Sequence, residues 1–346
     1  MFKSEGGCII KHMKKRLMTG FTPTGKLHLG HYVGNLENLL KLKSEYDAFL
    51  ILADVHALGT PSFSNLRYAE IQGYTIDVTR DLLSVGLSED EVTYYVESEI
   101  PEIYELAALF SMYVSHNRAL RNPTIKDEIK VKELGDQFSL GFVNYPMYQA
   151  ADILCVKGEM VPVGKDQEAH LEQAREISKT FNMIGKNNNF PEIKTLIGRV
   201  GKLIGTDGNP KMSKSLGNTI FLSASPEEVE KKVMNMYTDP KRIHSTDPGT
   251  VEGNPLFIYL DAFSAEVHKN QIEQYKELYK EGKVGDVELK KYLISVLNEF
   301  LEPIRERRKQ YDDAKVLDIL KKGTEKAREE AKNTLREVKE TLKLIY

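Results

Sequence analysis

Apolar and polar positions follow two rhythms along this chain. Short apolar runs at 17–19, 48–53, 92–96 and 160–163 have the length of buried strands. Between them, apolar residues recur every three or four positions. Leu29, Val33, Leu36 and Leu40 fall on one helical face, and Ile103, Leu106, Phe110 and Val114 on another. Strands alternating with helices predict a parallel sheet covered on both faces, with ligands beyond the carboxyl ends of its strands. The stretch 206–218, "TDGNPKMSKSLGN", has no apolar period and reads as a loop. Beyond it the pattern is helical. Ser225-Pro226-Glu227-Glu228 forms a capping box with proline at the first helical position. Helical segments follow over roughly 255–281 and 286–311, and a charged one over 314–343.

The predicted architecture is α/β. A tail at 1–14 leads into a Rossmann-like parallel-sheet domain at 15–216, with a helical insertion around 105–145. A helical domain follows at 217–312, then a C-terminal helix at 313–346 that could pack back on the first domain. No repeat or low-complexity tract interrupts this order.

Composition narrows the function classes. Of 346 residues, 41% are apolar and 29% charged, with a net charge of −3. That is an ordinary globular composition, and it excludes coating nucleic acid or anionic membrane by bulk charge. Contact with RNA would need local basic patches. The longest apolar run, "AFLILA", is far too short to span a bilayer. Residues 1–12 lack the apolar core and cleavage site of a secretory signal, and Met13 is an alternative start that would leave them as a loose tail. Cys8 and Cys155 supply neither a disulfide framework nor paired metal-ligand spacing, which points to a reducing cytosol.

Candidate chemistry gathers in two places. "TGFTPTGKLHLGH", 19–31, has nearly the P-loop spacing in Gly20, Gly25 and Lys26. A P-loop needs Ser or Thr after its lysine, where Leu27 stands, and Pro23 removes a backbone donor from the phosphate cradle. His28 and His31 fit phosphate chemistry better. They sit where a helix is predicted to begin, at its positive end, on one face, with Gly30 allowing a flat base or ribose close to the backbone. The plain alternative is a pair of surface histidines. The second place is "KMSKS", 211–215, where Lys211 and Lys214 lie three apart in a loop of small residues. Two mobile point charges there could close over a triphosphate and steady departing pyrophosphate; alone, they could equally be a solvated loop.

Together the two motifs resemble the HIGH and KMSKS signatures of the class I aminoacyl-tRNA synthetases. A third stretch, 144–182, "NYPMYQAADILCVKGEMVPVGKDQEAHLEQAREISKTFN", is similar to the tryptophanyl-tRNA synthetase family. "GFTPTGKLHLGHYVGNL", "ADVHAL", "TDGNPKMSKS" and "YTDPKR" carry the likeness from about residue 15 to the end. Tyrosyl-tRNA synthetases share the architecture and a Gln-Ala-x-Asp pattern. They usually place Gly-Gly before the Asp-Gln, where this chain has Val163-Gly164, and many bacterial ones add a C-terminal RNA-binding domain.

The resemblance implies roles for matching positions. Asp152 would accept the indole N–H, the one hydrogen-bonding group of the tryptophan side chain. Tyr145, Gln149 and His56 would line the ring pocket, and Gln167 would contact the α-amino group. Thr22, Pro23, Thr24, Gly30, His31, the turn Gly164-Lys165-Asp166, Leu203, and Lys211, Met212, Ser213, Lys214 and Ser215 would form the ATP site. Catalysis would rest on His28, His31, Lys211 and Lys214. Gln149 stands where many bacterial members have Met, and Lys165 where Glu is common. Read by itself, Asp152 inside an apolar run is a helix cap or an internal ion pair, and it does not separate tryptophan from tyrosine, whose phenol also donates. Cys155 reads as a packed thiol, and "RERR", 305–308, as either an anticodon-arm contact or a solvated helix face.

The implied reaction has two steps. The tryptophan carboxylate attacks the α-phosphate of Mg²⁺-bound ATP, giving tryptophanyl-adenylate and pyrophosphate; the aminoacyl group then passes to the terminal adenosine of tRNA(Trp). Neither step needs an enzyme nucleophile, so catalysis would be positioning plus charge stabilisation. The resemblance further implies a cytoplasmic homodimer, with one tRNA spanning both subunits and no membrane contact. The cysteines that hold an iron–sulfur cluster in some members have no counterpart in "YKEGKVGDVELKK", so no cluster, zinc or other resident metal is expected. Two other classes compete: a small-molecule nucleotidyltransferase using HxGH, and a non-catalytic paralogue binding RNA or tryptophan.

Overall fold

The computed structural model describes residues 14–59, 68–131, 138–164, 168–197, 203–210, 212–239, 242, 244 and 246–346. Five parallel strands form its centre: β1 (Arg16–Phe21), β2 (Asp47–Leu52), β3 (Val92–Val96), β4 (Met160–Val163) and β5 (Lys194–Ile197), in the order β3-β2-β1-β4-β5. The expected parallel α/β sheet is thus present. β5 is an addition, because "KTLI" is too short to establish a period in sequence. Strand residues divide by the two-residue pleat. Leu17, Leu50, Leu52 and Tyr94 join one core; Met18, Phe49, Ile51 and Tyr95 join the other.

The first core is shared by α3 (Tyr68–Ser84) with α9 (Pro226–Met234), α10 (Pro255–Phe263) and α12 (Asp286–Arg308), through Leu82, Val229, Leu256 and Leu297. The second is filled by α4 (Pro101–Ser111), α7 (Leu140–Cys155) and α8 (Glu168–Gly185) through Leu106, Phe110, Leu154 and Leu171. Cys155 is packed and unexposed. With α5 (His116–Leu120) and α6 (Pro123–Val131), the helices between β3 and β4 run from Pro101 to Cys155, wider than the expected 105–145. Proline at the first position of α4 sets the earlier start.

Ser225 Oγ accepts the Glu228 N–H at 3.2 Å and Glu228 Oε2 accepts the Ser225 N–H at 2.9 Å, which is the capping box. The segment at 255–281 divides into α10 and α11 (Lys269–Lys280), because Ser264 is extended. After β1, α1 (Leu29–His31) continues through a π-helical turn (Tyr32–Leu36) into α2 (Glu37–Leu42). The wider turn rotates the apolar face, so Leu39 rather than Leu40 is fully buried with Leu29, Val33 and Leu36.

The last helix, α13 (Asp313–Thr341), crosses the β3 edge and enters both cores, Val316 and Leu320 in one and Ala327 and Ala331 in the other. Covering an exposed strand edge is a common protection against edge pairing. Thr324 Oγ1 accepts the Val96 N–H at 3.1 Å, and Thr334 Oγ1 donates to the Cys155 carbonyl at 2.8 Å. Gly323 permits this approach: a Cβ there would lie 1.9 Å from the Tyr94 carbonyl oxygen. On an open helix, Gly→Ala stabilises by about 1 kcal/mol. Here the overpacking outweighs that gain, so Gly323→Ala is expected to destabilise by about 2 kcal/mol and lower Tm in a thermal melt. A raised Tm would contradict the docking of α13.

Candidate active site

The carboxyl end of β1 passes through exposed Thr22, buried Pro23 and half-buried Thr24 to Gly25, whose φ of +115° suits only glycine. The following residues pair with the segment after "KMSKS". Leu29 donates its N–H to the Ile220 carbonyl at 3.0 Å, Leu222 donates to the Leu27 carbonyl at 3.0 Å, and His28 bridges Phe221. Two motifs far apart in sequence are thereby joined by backbone.

His28 caps the helix. Its Nδ1 accepts the Gly30 N–H at 3.2 Å, and His31 Nδ1 accepts the His28 N–H at 3.0 Å. The two rings, 3.8 Å apart between centroids, form a reciprocal capping box. This hydrogen-bond pattern assigns a neutral tautomer to each ring, with the proton on Nε2. Burial and the nearby Lys214 charge lower the His28 pKa to about 4. Burial, His28 and Lys214 likewise hold His31 well below the usual histidine value. The pair therefore offers neutral Nε2–H donors at a positive helix end, not imidazolium charge.

The cation comes from the other motif. Lys214 Nζ donates to the Gly25 carbonyl at 2.8 Å. Burial lowers its pKa to about 8, with Asp81 opposing. Met212 covers Gly30: a Cβ there would lie 3.1 Å from the thioether sulfur and 3.0 Å from the His28 ring. The loop is pinned by buried Asn218, whose Oδ1 accepts the Ser213 N–H at 2.8 Å and whose Nδ2 donates to Asp207 at 2.9 Å. Leu203 is 3% exposed and packs in the same core as Leu27 and Met212, so its side chain offers almost no surface to a base. Lys165, Asp166, Gln167 and Lys211 lie outside the described residues, as does the Ser215 side chain. Gly164 directly follows β4. Because the strand order reverses between β1 and β4, the crevice beside Gly164 and His28 is the switch point where such sheets take ligands.

A second cluster lies beyond β2 and β3. His56 begins a short turn after β2, Glu97 follows β3 directly, and Asp152 projects from within α7. His56 Nδ1 is 3.0 Å from Glu97 Oε2 and 3.8 Å from Asp152 Oδ2. Burial disfavours the imidazolium, but the hydrogen bond to Glu97 and the two carboxylates outweigh it and raise His56 to about 9. Burial and the adjacent Glu97 charge push Asp152 well above the usual carboxylate value. Ligand atoms of the three lie within 4.8 Å of one another, close enough for a metal ion, although the Glu97 hydrogen bond already engages the imidazole. Of the two plain readings of Asp152, the helix cap is excluded by its interior position, and the ion pair to His56 is present. Even so, among the described residues its buried Oδ1 accepts no hydrogen bond.

Beside this cluster is a cavity of about 260 Å³, lined by His56, Leu58, Glu97, Tyr104, Tyr145 and Tyr148. The Tyr145 hydroxyl is 2.9 Å from His170 Nε2, and His170 Nδ1 is 3.0 Å from the Asn122 amide, so a buried relay fixes that ring. Gln149, half-buried, stands three residues before Asp152 on the same helix. Glu97 is an addition to the residues expected from sequence, although an acid immediately after the apolar run 92–96 was a visible signal.

The basic cluster at 305–308 requires a correction. Its arginines are engaged within the fold rather than freely solvated. Arg305 donates to the Ala224 carbonyl and to Asn298, Arg307 to the Ser84 carbonyl, and Arg308 to Asp81 and Asp77. These guanidiniums hold α12 against the first core.

A family model described as "tRNA synthetases class I (W and Y)" matches residues 11–302. Among curated proteins, the chain is 46% identical over 338 residues to a tryptophan–tRNA ligase of Chlamydia caviae, covering 96% of each chain. It is 47% identical over 341 residues to that of Streptococcus mutans, covering 96% of this chain and 99% of the relative. Among solved structures, the tryptophanyl-tRNA synthetase of Campylobacter jejuni complexed with ADP and tryptophan superposes with a TM-score of 0.80 at 28% identity, covering 94% of this chain and 99% of that one.

Proposed function

The chain belongs to the class I tRNA synthetases of the tryptophan and tyrosine type, and we infer that within this family it is a tryptophan–tRNA ligase. It activates L-tryptophan with ATP and transfers it to the 3′ end of tRNA(Trp). The observation that carries the reading is the 46–47% identity to tryptophan–tRNA ligases over nearly the whole chain; the buried Asp152 Oδ1, without a partner among the described residues, and the aromatic-lined cavity beside its cluster suit a flat ring with one donor. In this reading His56, Tyr145 and Gln149 surround the indole, and Gln167 takes the α-amino group. Charging of tRNA(Trp) with labelled tryptophan tests it; a chain that activates tryptophan but never loads tRNA would overturn the second step.

For ATP we propose Thr22, Pro23, Thr24, Gly30 and the turn at 164–166 around the nucleoside, with Mg²⁺ arriving as part of the substrate. His28 and His31 would donate through Nε2 to phosphate oxygens, and Lys211 and Lys214 would take charge from the departing pyrophosphate. Leu203 would contribute backbone rather than side chain. A pH profile follows from Lys214. Its ammonium is present below about pH 8 and is lost as pH rises through that value. kcat/KM for ATP, which reports the free enzyme, is therefore expected to fall above about 8 and to show no histidine limb between 5 and 7, His28 being neutral above about 4. A limb centred near 6.5 that persists in Asp81→Asn, and so does not come from Asp81, whose burial raises it to about 6, would contradict neutral histidines.

Among the described residues, no helix is long and apolar enough to cross a membrane, and we place the reaction in the cytoplasm with its tRNA. We also propose a homodimer. Met112 and Leu140 are 78% and 87% exposed, next to a cavity lined by Ser111, Val114 and Leu140, and apolar surface of this kind marks an interface. Sedimentation is expected to give twice the 39.3 kDa chain mass, with Leu140→Asp shifted toward monomer. A monomer at every concentration would exclude the dimer.

A further inference from the structure

The turn that delivers the two histidines is held by a carboxylate from outside both motifs. Asp81, on α3 and 1% exposed, accepts the Leu27 N–H on Oδ2 at 3.0 Å, one residue before His28. Its Oδ1 takes the Arg308 guanidinium, and Arg308 also donates to Asp77 at 3.0 Å. Arg308 is the last residue of α12. The same turn is fixed elsewhere: Lys214 holds the Gly25 carbonyl, and Leu222 holds the Leu27 carbonyl. Gly25, at positive φ, is the glycine of this turn, the residue type with the widest backbone freedom.

We propose that Asp81 is a positioning residue for ATP activation and that Arg308 keeps its carboxylate in place, so that the end of α12 sets where His28 and His31 stand. The role rests on the ligase reading above and goes beyond it, since neither residue belongs to a synthetase motif. If Asp81 loses its acceptor, a buried N–H is stranded beside His28 and the turn relaxes about Gly25. If Arg308 is removed, Oδ1 loses its anchor and the buried carboxyl, already raised to about 6, is pushed higher still, so the Asp81 charge that supports the Lys214 ammonium weakens and the lysine meant for pyrophosphate is disturbed. The effect would fall on the phosphate site alone, because the Asp152 cluster stands on α7 and the ends of β2 and β3.

The test compares Asp81→Ala, Asp81→Asn and Arg308→Met in tryptophan-dependent ATP–pyrophosphate exchange, well below each variant's Tm. The chain contains no tryptophan, so fluorescence of bound tryptophan gives its Kd directly. Asp81→Ala is expected to lower kcat by at least about tenfold with the tryptophan Kd within about twofold, because one lost hydrogen bond of about 1.5 kcal/mol shifts a pre-organised group by roughly that factor. Asp81→Asn keeps the acceptor and is expected to recover most of kcat. Arg308→Met is expected to show the same split as Asp81→Ala. Unchanged kcat beside a lowered Tm would make the pair a structural staple and overturn the proposal, as would a tryptophan Kd that weakens in step with kcat. If Asp81→Ala does not fold, Asp81→Asn/Arg308→Met removes both charges and keeps the acceptor; kcat within about threefold of the parent is expected, and a tenfold loss overturns the role. A parent without exchange activity would instead refute the ligase reading.

Discussion

Lys214→Ala is expected to slow tryptophan activation by about 100-fold or more, while the tryptophan Kd stays within about twofold. Removing one pre-organised donor aimed at developing charge typically costs about 10²–10³ in rate. In the proposed reaction Lys214 is such a donor. It is the described cation of the "KMSKS" loop, its Nζ lies at the Gly25 carbonyl beside the histidine turn, and burial strips it of competing water. Its contact with Gly25 is one that ATP phosphates would displace, so the ground state loses little when the side chain is cut. Single-turnover adenylate formation measures the rate, and tryptophan fluorescence the affinity. A variant that loses rate and tryptophan affinity together would place Lys214 in the amino-acid pocket instead. Lys214→Arg is expected to recover only part of the rate, because the guanidinium cannot occupy the same point beside Gly25.

The second large effect belongs to Asp152. Asp152→Ala is expected to weaken tryptophan binding by about 10- to 100-fold, the size of a lost hydrogen bond to a carboxyl group. Asp152→Asn, which keeps an accepting oxygen, should lose much less. The geometry sets this order. Oδ2 already faces His56, whereas Oδ1 is buried without a partner among the described residues. Equilibrium fluorescence titration with tryptophan checks it. If Ala and Asn bind tryptophan as tightly as the parent, Asp152 is only the ion-pair partner of His56.

The two motifs were readable because each is local in sequence. His28, Gly30 and His31 sit within one turn, and Lys214 sits in a loop with no apolar period. What surrounds them was not readable, because it comes from distant positions. Asp81 reaches Leu27 across 54 positions, and Glu97 reaches His56 across 41. No local pattern marks Asp81, which lies on a helix whose period it does not disturb. The histidines also changed meaning. In sequence they suggested paired rings for one ligand; in the fold their Nδ1 atoms are spent on capping, which leaves only Nε2 for a ligand. "RERR" shows the opposite error. Charge density left an anticodon-arm contact and a solvated face open, but the three arginines at the end of α12 meet carbonyls and carboxylates of α3 and the loop before α9, and their guanidiniums serve packing. The π turn after α1 likewise escapes a 3.6-residue template, since its single extra residue moves the buried position from 40 to 39.

Asp152 alone does not choose between tryptophan and tyrosine, since both rings present one donor. The choice falls to cavity shape and to the charge state of the His56–Glu97–Asp152 cluster, where two carboxyl groups and an imidazolium share a buried site. An indole fills a broad flat space and has nothing to accept; a phenol is longer and brings an oxygen that needs solvent or a donor. ATP–pyrophosphate exchange measured with tryptophan and with tyrosine in parallel decides the matter. Exchange is expected with tryptophan at micromolar concentrations, with tyrosine neither supporting it nor competing at a 100-fold excess. Exchange with tyrosine alone, or with neither amino acid, would contradict a tryptophan–tRNA ligase.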